Sequence, residues 1–584
     1  MSNRHLSLMA RACNIRPTDM PALTRRLQKK GTIMVMRTML RGLAGTAALA
    51  FLTTAAVSAG TAPAQATGSG AALRWGTVME VSTLDPVYGT NYWELVAMYN
   101  SYDTLLWPDA EKGVKPWLAE SWTISPDGRE YAFKIRAGQK FHDGSEITAE
   151  DVAFSMVRML TVNGPSASSF RMINASGVSY EGDTVTFKLD SPNSSFLKAL
   201  LLFRIVNKDL ILANLKPGAF GEMQDYGNAF LRTNDAGSGP YELETYRPGE
   251  ILRLKKFDGY TLAPQKGEAP ATVEFQVTPE IATIVTKLRA GELDIGDPTL
   301  PSTVQRQLGE LQAMQRREDT MPSPWFVIMD NARAPLDDVW VRRAVASAYD
   351  RDTVTKHILG AGGPLAGPVP AEMLPGCEGV TTYPFDLAKA REYLSKSKYP
   401  AGELSKRKLQ IAAVAGSDRF NNVAMLLATN LTKIGIPTEV RPVRWADIVQ
   451  AQTKPETAYD FVLYYDPAKV SDPTLFLNYY TKSGWGDPYP PGGMYYENPK
   501  VTELVQAGIH STDPKVQTDS YCQANKLIAE DSPAVFSHTE VRQVTSWDYV
   551  KGFPPSAGAI FYDMRFENWA IDQNSKDFQN NQKR

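Results

Sequence analysis

The chain has 584 residues, with 62 lysines and arginines against 64 aspartates and glutamates and a formal net charge of −2. That length exceeds one ordinary core, so two or three domains are expected. Balanced charge excludes a general polyanion binder, so neither a nucleic-acid nor an anionic-membrane partner is expected; an apolar fraction of 43% marks a globular body.

Lys29, Lys30, Arg37 and Arg41 precede an apolar, small-residue run from Leu43 to Gly60. Ala64 and Ala66 then stand at the spacing a signal peptidase requires. Residues 1–66 therefore read as a cleaved export signal. The Ala, Gly and Thr content of the run favours this over a membrane anchor. With no cysteine near the cut, a lipid-anchored form is not expected. Cys377 and Cys522 remain after cleavage. In an exported chain they can form a disulfide or stay as two buried thiols, and spacing alone leaves both open.

The first clear unit is a hairpin, SWTISPDGREYAFKIR, with Tyr131, Phe133 and Ile135 alternating and a turn over Ser125–Gly128. In KFHDGSEITAEDVAFS, Thr148 is placed to cap a helix and Asp151 to complete a capping box. Ile147 and Val152 fit a hydrophobic staple, and Val152, Met156 and Met159 share one helical face. VSYEGDTVTFKL is a second hairpin that turns at Gly182. ATVEFQV is a strand, and the following helix closes near Gly291 before a short strand, ELDIG. Asp337 is expected to cap a helix whose apolar face carries Val341, Ala344, Val345 and Ala348. LQIAAVAG, TEVRPV and YDFVLYY are strands, with an amphipathic helix ending before Gly435. This is α/β content with inserted antiparallel hairpins.

Little in the chain suits bond chemistry. The five histidines, His5, His142, His357, His510 and His538, include no two at metal-ligand spacing. His142 and Asp143 are adjacent, so on extended chain they point to opposite faces. His142 is read as a hydrogen-bonded fold residue. Ser238, between Gly237 and Gly239, leads into Pro240 and a strand, which is not a hydrolase elbow. GxGxxG, P-loop and CxxC patterns are absent. No metal, no cofactor and no catalytic activity is expected. Paired aromatics are the positive signal: Tyr92–Trp93, Trp325, Trp445, Tyr464–Tyr465, Tyr479–Tyr480 and Tyr495–Tyr496. Such side chains suit either a core or a cleft for a small solute.

The ordered motifs PWLAESWTISPDGREYAFKIRAGQKFHDGSEITAEDVAFS (116–155), TLDPVYG (83–89), GSGPYEL (237–243), LRAGELDI (288–295) and NARAPLDDVWVRRAVASAYDR (331–351) carry a resemblance. YPFDLAKAREYL, LTKIGIPTEV and SDPTLF extend it towards the end. The chain resembles the large periplasmic solute-binding proteins of ABC importers, the dipeptide- and oligopeptide-binding type. That resemblance implies a two-lobed, type II periplasmic-binding-protein-like α/β fold with an extra inserted domain. The first lobe would be split over residues 67–112, 230–329 and 550–584. The inserted domain would be 113–229 and the second lobe 330–549. It also implies a monomer in the periplasm that passes solute to permease subunits of the inner membrane.

For the site, the resemblance points to the segment Gly89–Trp93, hence Tyr92 and Trp93, and to Trp445, flanked by Arg444. Tyr464 and Tyr465 join them from the paired aromatics. Peptide-binding relatives hold the α-ammonium with an aspartate three residues before the acid of a later D-P pair. Counting back from Asp472 gives Lys469, whose charge would repel an ammonium. Asp466 is the candidate substitute. A peptide is the first expectation for the solute. An opine, sugar or organic acid is the alternative, and a secreted hydrolase is the rival function.

Overall fold

The computed structural model describes residues 71–89, 91–109, 113–263, 268–467, 470–486, 493–552 and 564–583. The expected signal region and Lys469 lie outside them. In chain order the elements that matter are β1 (Ala72–Thr77), α1 (Tyr92–Ser101), β2 (Ala119–Ile124), β3 (Glu130–Ile135), α2 (Ala149–Val162), β4 (Ile173–Glu181) and β5 (Thr184–Leu189). There follow β6 (Tyr241–Arg247), β7 (Ile251–Lys256), β8 (Thr272–Val277), α3 (Ile281–Ala290), β9 (Met314–Met329), α4 (Val339–Ala348), β10 (Leu409–Val414) and α5 (Asp418–Lys433). The last are β11 (Thr438–Val443), α6 (Trp445–Ala451), β12 (Phe461–Tyr465), α7 (Pro499–His510), α8 (Pro514–Asp531) and β13 (Ala534–Trp547).

The first sheet has the order β1-β8-β7-β6, with β1 and β8 parallel and Trp75 opposite Phe275. Trp75 is the centre of its core. It meets Trp93 edge-on at 5.0 Å and Trp569 at 5.6 Å, and all three are fully buried.

The second sheet, β2-β3-β5-β4, is wholly antiparallel and holds both predicted hairpins. Its alternation buries Tyr131, Phe133, Ile135, Val185, Phe187 and Leu189 in the same core as Val152, Met156 and Met159 of α2. The α2 start is the expected capping box: Thr148 accepts from the Asp151 amide, and Asp151 from the Thr148 amide.

His142 sits beside this start and is held at both ring nitrogens. Nδ1 lies 3.0 Å from Asp235 Oδ1 and Nε2 3.0 Å from the Gly239 carbonyl. Its neighbour Asp143 faces elsewhere, accepting from the Ser145 amide and Asn207. Ser238 is buried against Asp103. Its flanking glycines are demanded by space: a Cβ on Gly237 would lie 1.8 Å from the Ser101 carbonyl oxygen, and one on Gly239 2.2 Å from that of Asn100. GSG is thus the place where the chain presses on the end of α1.

The third sheet runs β11-β10-β12-β9-β13. Its β11, β10 and β12 strands are parallel, while β9 is antiparallel to both its neighbours. Val341, Ala344, Val345 and Ala348 of α4 are buried in one core with Val423, Leu427 and Leu431 of α5. Two expectations change here. Asp338, not Asp337, caps α4, accepting from the Trp340 amide at 2.8 Å. Asp337 lies one residue too early for that geometry and instead binds Lys398 and the Tyr399 hydroxyl. ELDIG makes no strand: Ile295 forms single bridges to Trp75 and Ser546.

Those bridges show how the sheets connect. β9 and β13 pair over most of their length, with breaks of register at Thr320/Pro324 and Trp325/Phe326. One end of the pair lies in the third sheet, and the other reaches Ile295 and, through it, β1. Cys377 and Cys522 form a disulfide that ties the turn-rich loop before α5 to α8.

Candidate functional site

In an open α/β sheet, solutes gather beyond the carboxyl ends of the parallel strands. In the third sheet those ends deliver Val414, Val443 and Tyr465, and most of the predicted site residues follow directly. Trp445 opens α6 just after β11 and stacks on Tyr464 at 5.9 Å with a 6° interplanar angle. Because successive strand residues face opposite ways, Tyr465 points to the other face. There it meets Trp325 of β9 at 5.5 Å, and Trp325 meets Phe420 at 4.7 Å.

A charged pair closes this second face. Trp325 Nε1 donates to Glu540 Oε2 at 2.6 Å, Arg419 reaches the same carboxylate at 2.9 and 3.0 Å, and the Arg419 guanidinium lies over the Trp325 ring at 5.1 Å. His538 stacks on the far side of Trp325. Burial, then Arg419 and Arg351, push its pKa down to about 3, so it is neutral. Burial pushes the Tyr465 phenol up, helped by the Glu540 charge.

Asp466 follows Tyr465. Its amide donates to the Pro324 carbonyl, and its Oδ2 accepts from the Tyr479 hydroxyl at 2.6 Å. The Asp466 carboxylate lies on the wall of a cavity of about 330 Å³ shared by Arg171, Ser195, Leu202, Asp472 and Thr474. Asp472 is committed within that wall: it accepts from the Thr474 amide and hydroxyl at 2.8 and 2.7 Å.

Two predicted residues stand elsewhere. A capping box between Asn91 and Glu94 sets the phase of α1. That phase turns Trp93 into the core against Trp75 and Phe275 and leaves Tyr92 half-buried on the next face. Arg444 is on the surface, with its side chain 80% exposed, paired with Asp447 through Nε and Nη2 at 2.8 and 2.9 Å. Arg419 and Glu540 are the residues that sequence reasoning passed over. The strand–Gly416–helix junction before Arg419 was the available signal, since it aims the first turn of α5 at the strand ends.

A family model described as bacterial extracellular solute-binding proteins, family 5 middle region, matches residues 113–488. The chain belongs to that family. Among relatives, a probable D,D-dipeptide-binding periplasmic protein of Escherichia coli is 27% identical, over 82% of this chain and 90% of that one. The oligopeptide-binding protein of Bacillus subtilis, solved with a nonapeptide, superposes with a TM-score of 0.71 at 23% identity, covering 86% and 99% of the two chains. A binding protein solved with agropinic acid, from an Agrobacterium described as A.tumefacien R10, gives 0.68 at 23%, covering 86% and 99%. The fold is the α/β type II fold of periplasmic binding proteins. This solute-binding protein is the substrate-capturing component of an ABC importer and not an enzyme. Among the described residues no helix is long and apolar enough to cross a membrane, and no group of three His, Cys, Asp or Glu side chains is placed to hold a metal.

Proposed function

We propose that the protein captures a peptide in the periplasm, between a lobe built on the first sheet and a lobe built on the third, and presents it as a monomer to the importer's permease. The lobes take the boundaries expected from the sequence, with 113–229 as the inserted domain. Solute binding favours the closed arrangement of the lobes. Trp445, half-buried on Tyr464, supplies an apolar face for side chains, and the half-buried Tyr465 and Tyr92 line the solute beside it. Asp466 takes the ligand's α-ammonium.

The observation that carries this reading is the place of Asp466: a carboxylate at the carboxyl end of a central parallel strand, 7% exposed, on the wall of a cavity. Its Oδ2 accepts from the Tyr479 hydroxyl, and a carboxylate has room for further donors such as an ammonium. Relatives described as binding a D,D-dipeptide and a nonapeptide add weight to a peptide over other solutes.

The test is a melting screen of the purified mature protein with dipeptides, oligopeptides, sugars and organic acids. A peptide should raise the melting temperature saturably. N-acetylating that peptide or making Asp466→Asn should each cost affinity about 100-fold. Stabilisation by sugars or organic acids alone would replace the peptide reading with a non-peptide solute. Stabilisation by nothing would remove solute capture in this cleft.

A further inference from the structure

Arginines in this protein meet carboxylates in a recurrent way. Arg74 grips Asp294 with Nε at 3.1 Å and Nη2 at 2.8 Å, one donor on each carboxylate oxygen. Arg444 grips Asp447 with the same edge. That edge presents two parallel N–H groups whose spacing matches a carboxylate.

Arg204 has this edge and nothing on it. It is 3% exposed, and its Nε and Nη2 have no hydrogen-bond partner. The third nitrogen, Nη1, makes one long bond, 3.4 Å, to the Leu202 carbonyl. The guanidinium lies 4.5 Å over the ring of Tyr99, an aromatic face that steadies the cation without using its donors. No carboxylate among the described residues pairs with it. A buried guanidinium with two idle donors is costly to keep, and folding alone gives no reason to keep it.

Its surroundings supply the reason. Tyr99 is seven residues after Tyr92, on the same face of α1. Ala199 and Leu202, just before Arg204, line the cavity that Asp466 also walls. We infer that the Nε–Nη2 edge of Arg204 is the receptor for a planar carboxylate of the transported solute. Two parallel donors in one plane match a carboxylate. This inference rests on the proposed capture of a solute between the lobes. It adds that the solute carries a free carboxylate, whatever its other end.

The experiment uses wild type, Arg204→Met and Arg204→Lys of the mature protein. With no solute added, Arg204→Met should melt at or above wild type, because an unpaired buried charge is removed. A fall of several degrees would make the cation structural and overturn the inference, independently of any solute. Each solute that stabilises wild type is then compared with its carboxamide by calorimetric titration. Amidation should weaken wild type about 100-fold, and Arg204→Met should bind acid and amide alike. Arg204→Lys should fold as wild type does and recover only part of the preference, since a point charge replaces the fork. Equal binding of acid and amide by wild type would overturn the inference while leaving solute capture intact. A wild type that no solute stabilises would instead remove the capture reading.

Discussion

Breaking the Cys377–Cys522 link should destabilise the protein without touching solute affinity. The bond closes a loop of 145 residues. For a loop of that length, chain entropy alone gives about 5 kcal/mol at 25 °C. Part of that survives reduction, because the Val369 amide still donates to Asn525 of α8 at 3.2 Å and keeps the loop near the helix. About 5 kcal/mol is therefore the ceiling. In a unit of about 500 residues the unfolding entropy is roughly 1 kcal/mol per degree, so the melting temperature should fall by at most about 5 °C. The assay is a pair of thermal melts of Cys377→Ser/Cys522→Ser against wild type, with and without reductant. Reductant should move wild type onto the variant and leave the variant where it is. Identical melting of all four samples would refute the reasoning, since the link would then constrain nothing that the loop contacts do not already constrain.

Three other outcomes follow from the described contacts. Burial lowers the His142 pKa, but the Asp235 charge, its hydrogen bond and the Gly239 carbonyl outweigh it and leave the net pKa raised. The folded state therefore holds this proton more tightly, so its contribution is complete below the ordinary histidine range and lost as pH rises through the raised value. Wild type should lose melting temperature as pH rises from the ordinary histidine range through the raised value, and His142→Asn should flatten that slope; a parallel slope in both would assign it to other groups. Gly237→Ala should cost about 3 kcal/mol, read as a lowered urea midpoint at constant m-value, because its methyl meets the Ser101 carbonyl oxygen. Trp445→Ala should weaken solute binding by about 10-fold through the lost face on Tyr464, whereas Arg444→Ala, which breaks only an exposed pair, should leave titration curves unchanged.

Local rules were the most legible part of the sequence. The α2 capping box, the turns at Gly128 and Gly182 and the αL cap at Gly291 are decided by a few adjacent residues. Asp337 and Asp338 show the limit: adjacent acids look alike as caps for α4, and both also meet a segment some sixty residues on, Asp338 accepting from Ser397 and the Lys398 amide and Asp337 from Lys398 Nζ and the Tyr399 hydroxyl. β13 was not read as a strand because SHTEVRQVTS lacks apolar alternation. His538, Thr539, Arg542 and Gln543 are nonetheless buried, since other elements cover both faces. The site was legible where aromatics cluster and illegible where function resides in what a side chain lacks. A sequence displays Arg204, but the idle edge of its guanidinium exists only once Leu202 and Tyr99 are in place. Trp93 and Tyr92 were indistinguishable by type, and about 100° of helix phase separates the buried ring from the half-buried one.

The paired β9 and β13 have a mechanical consequence. A ladder of hydrogen bonds between two strands resists being stretched or sheared along its axis, yet it flexes easily across its thin direction. Such a ribbon resists sliding of its strands and bends most easily where the rungs are interrupted. Here that crease falls at Thr320–Trp325, beside Tyr465 and Asp466. Under the proposed capture between two lobes, a solute beside Tyr465 and Asp466 would lie next to that crease, where a small displacement is levered into a larger swing at the rim.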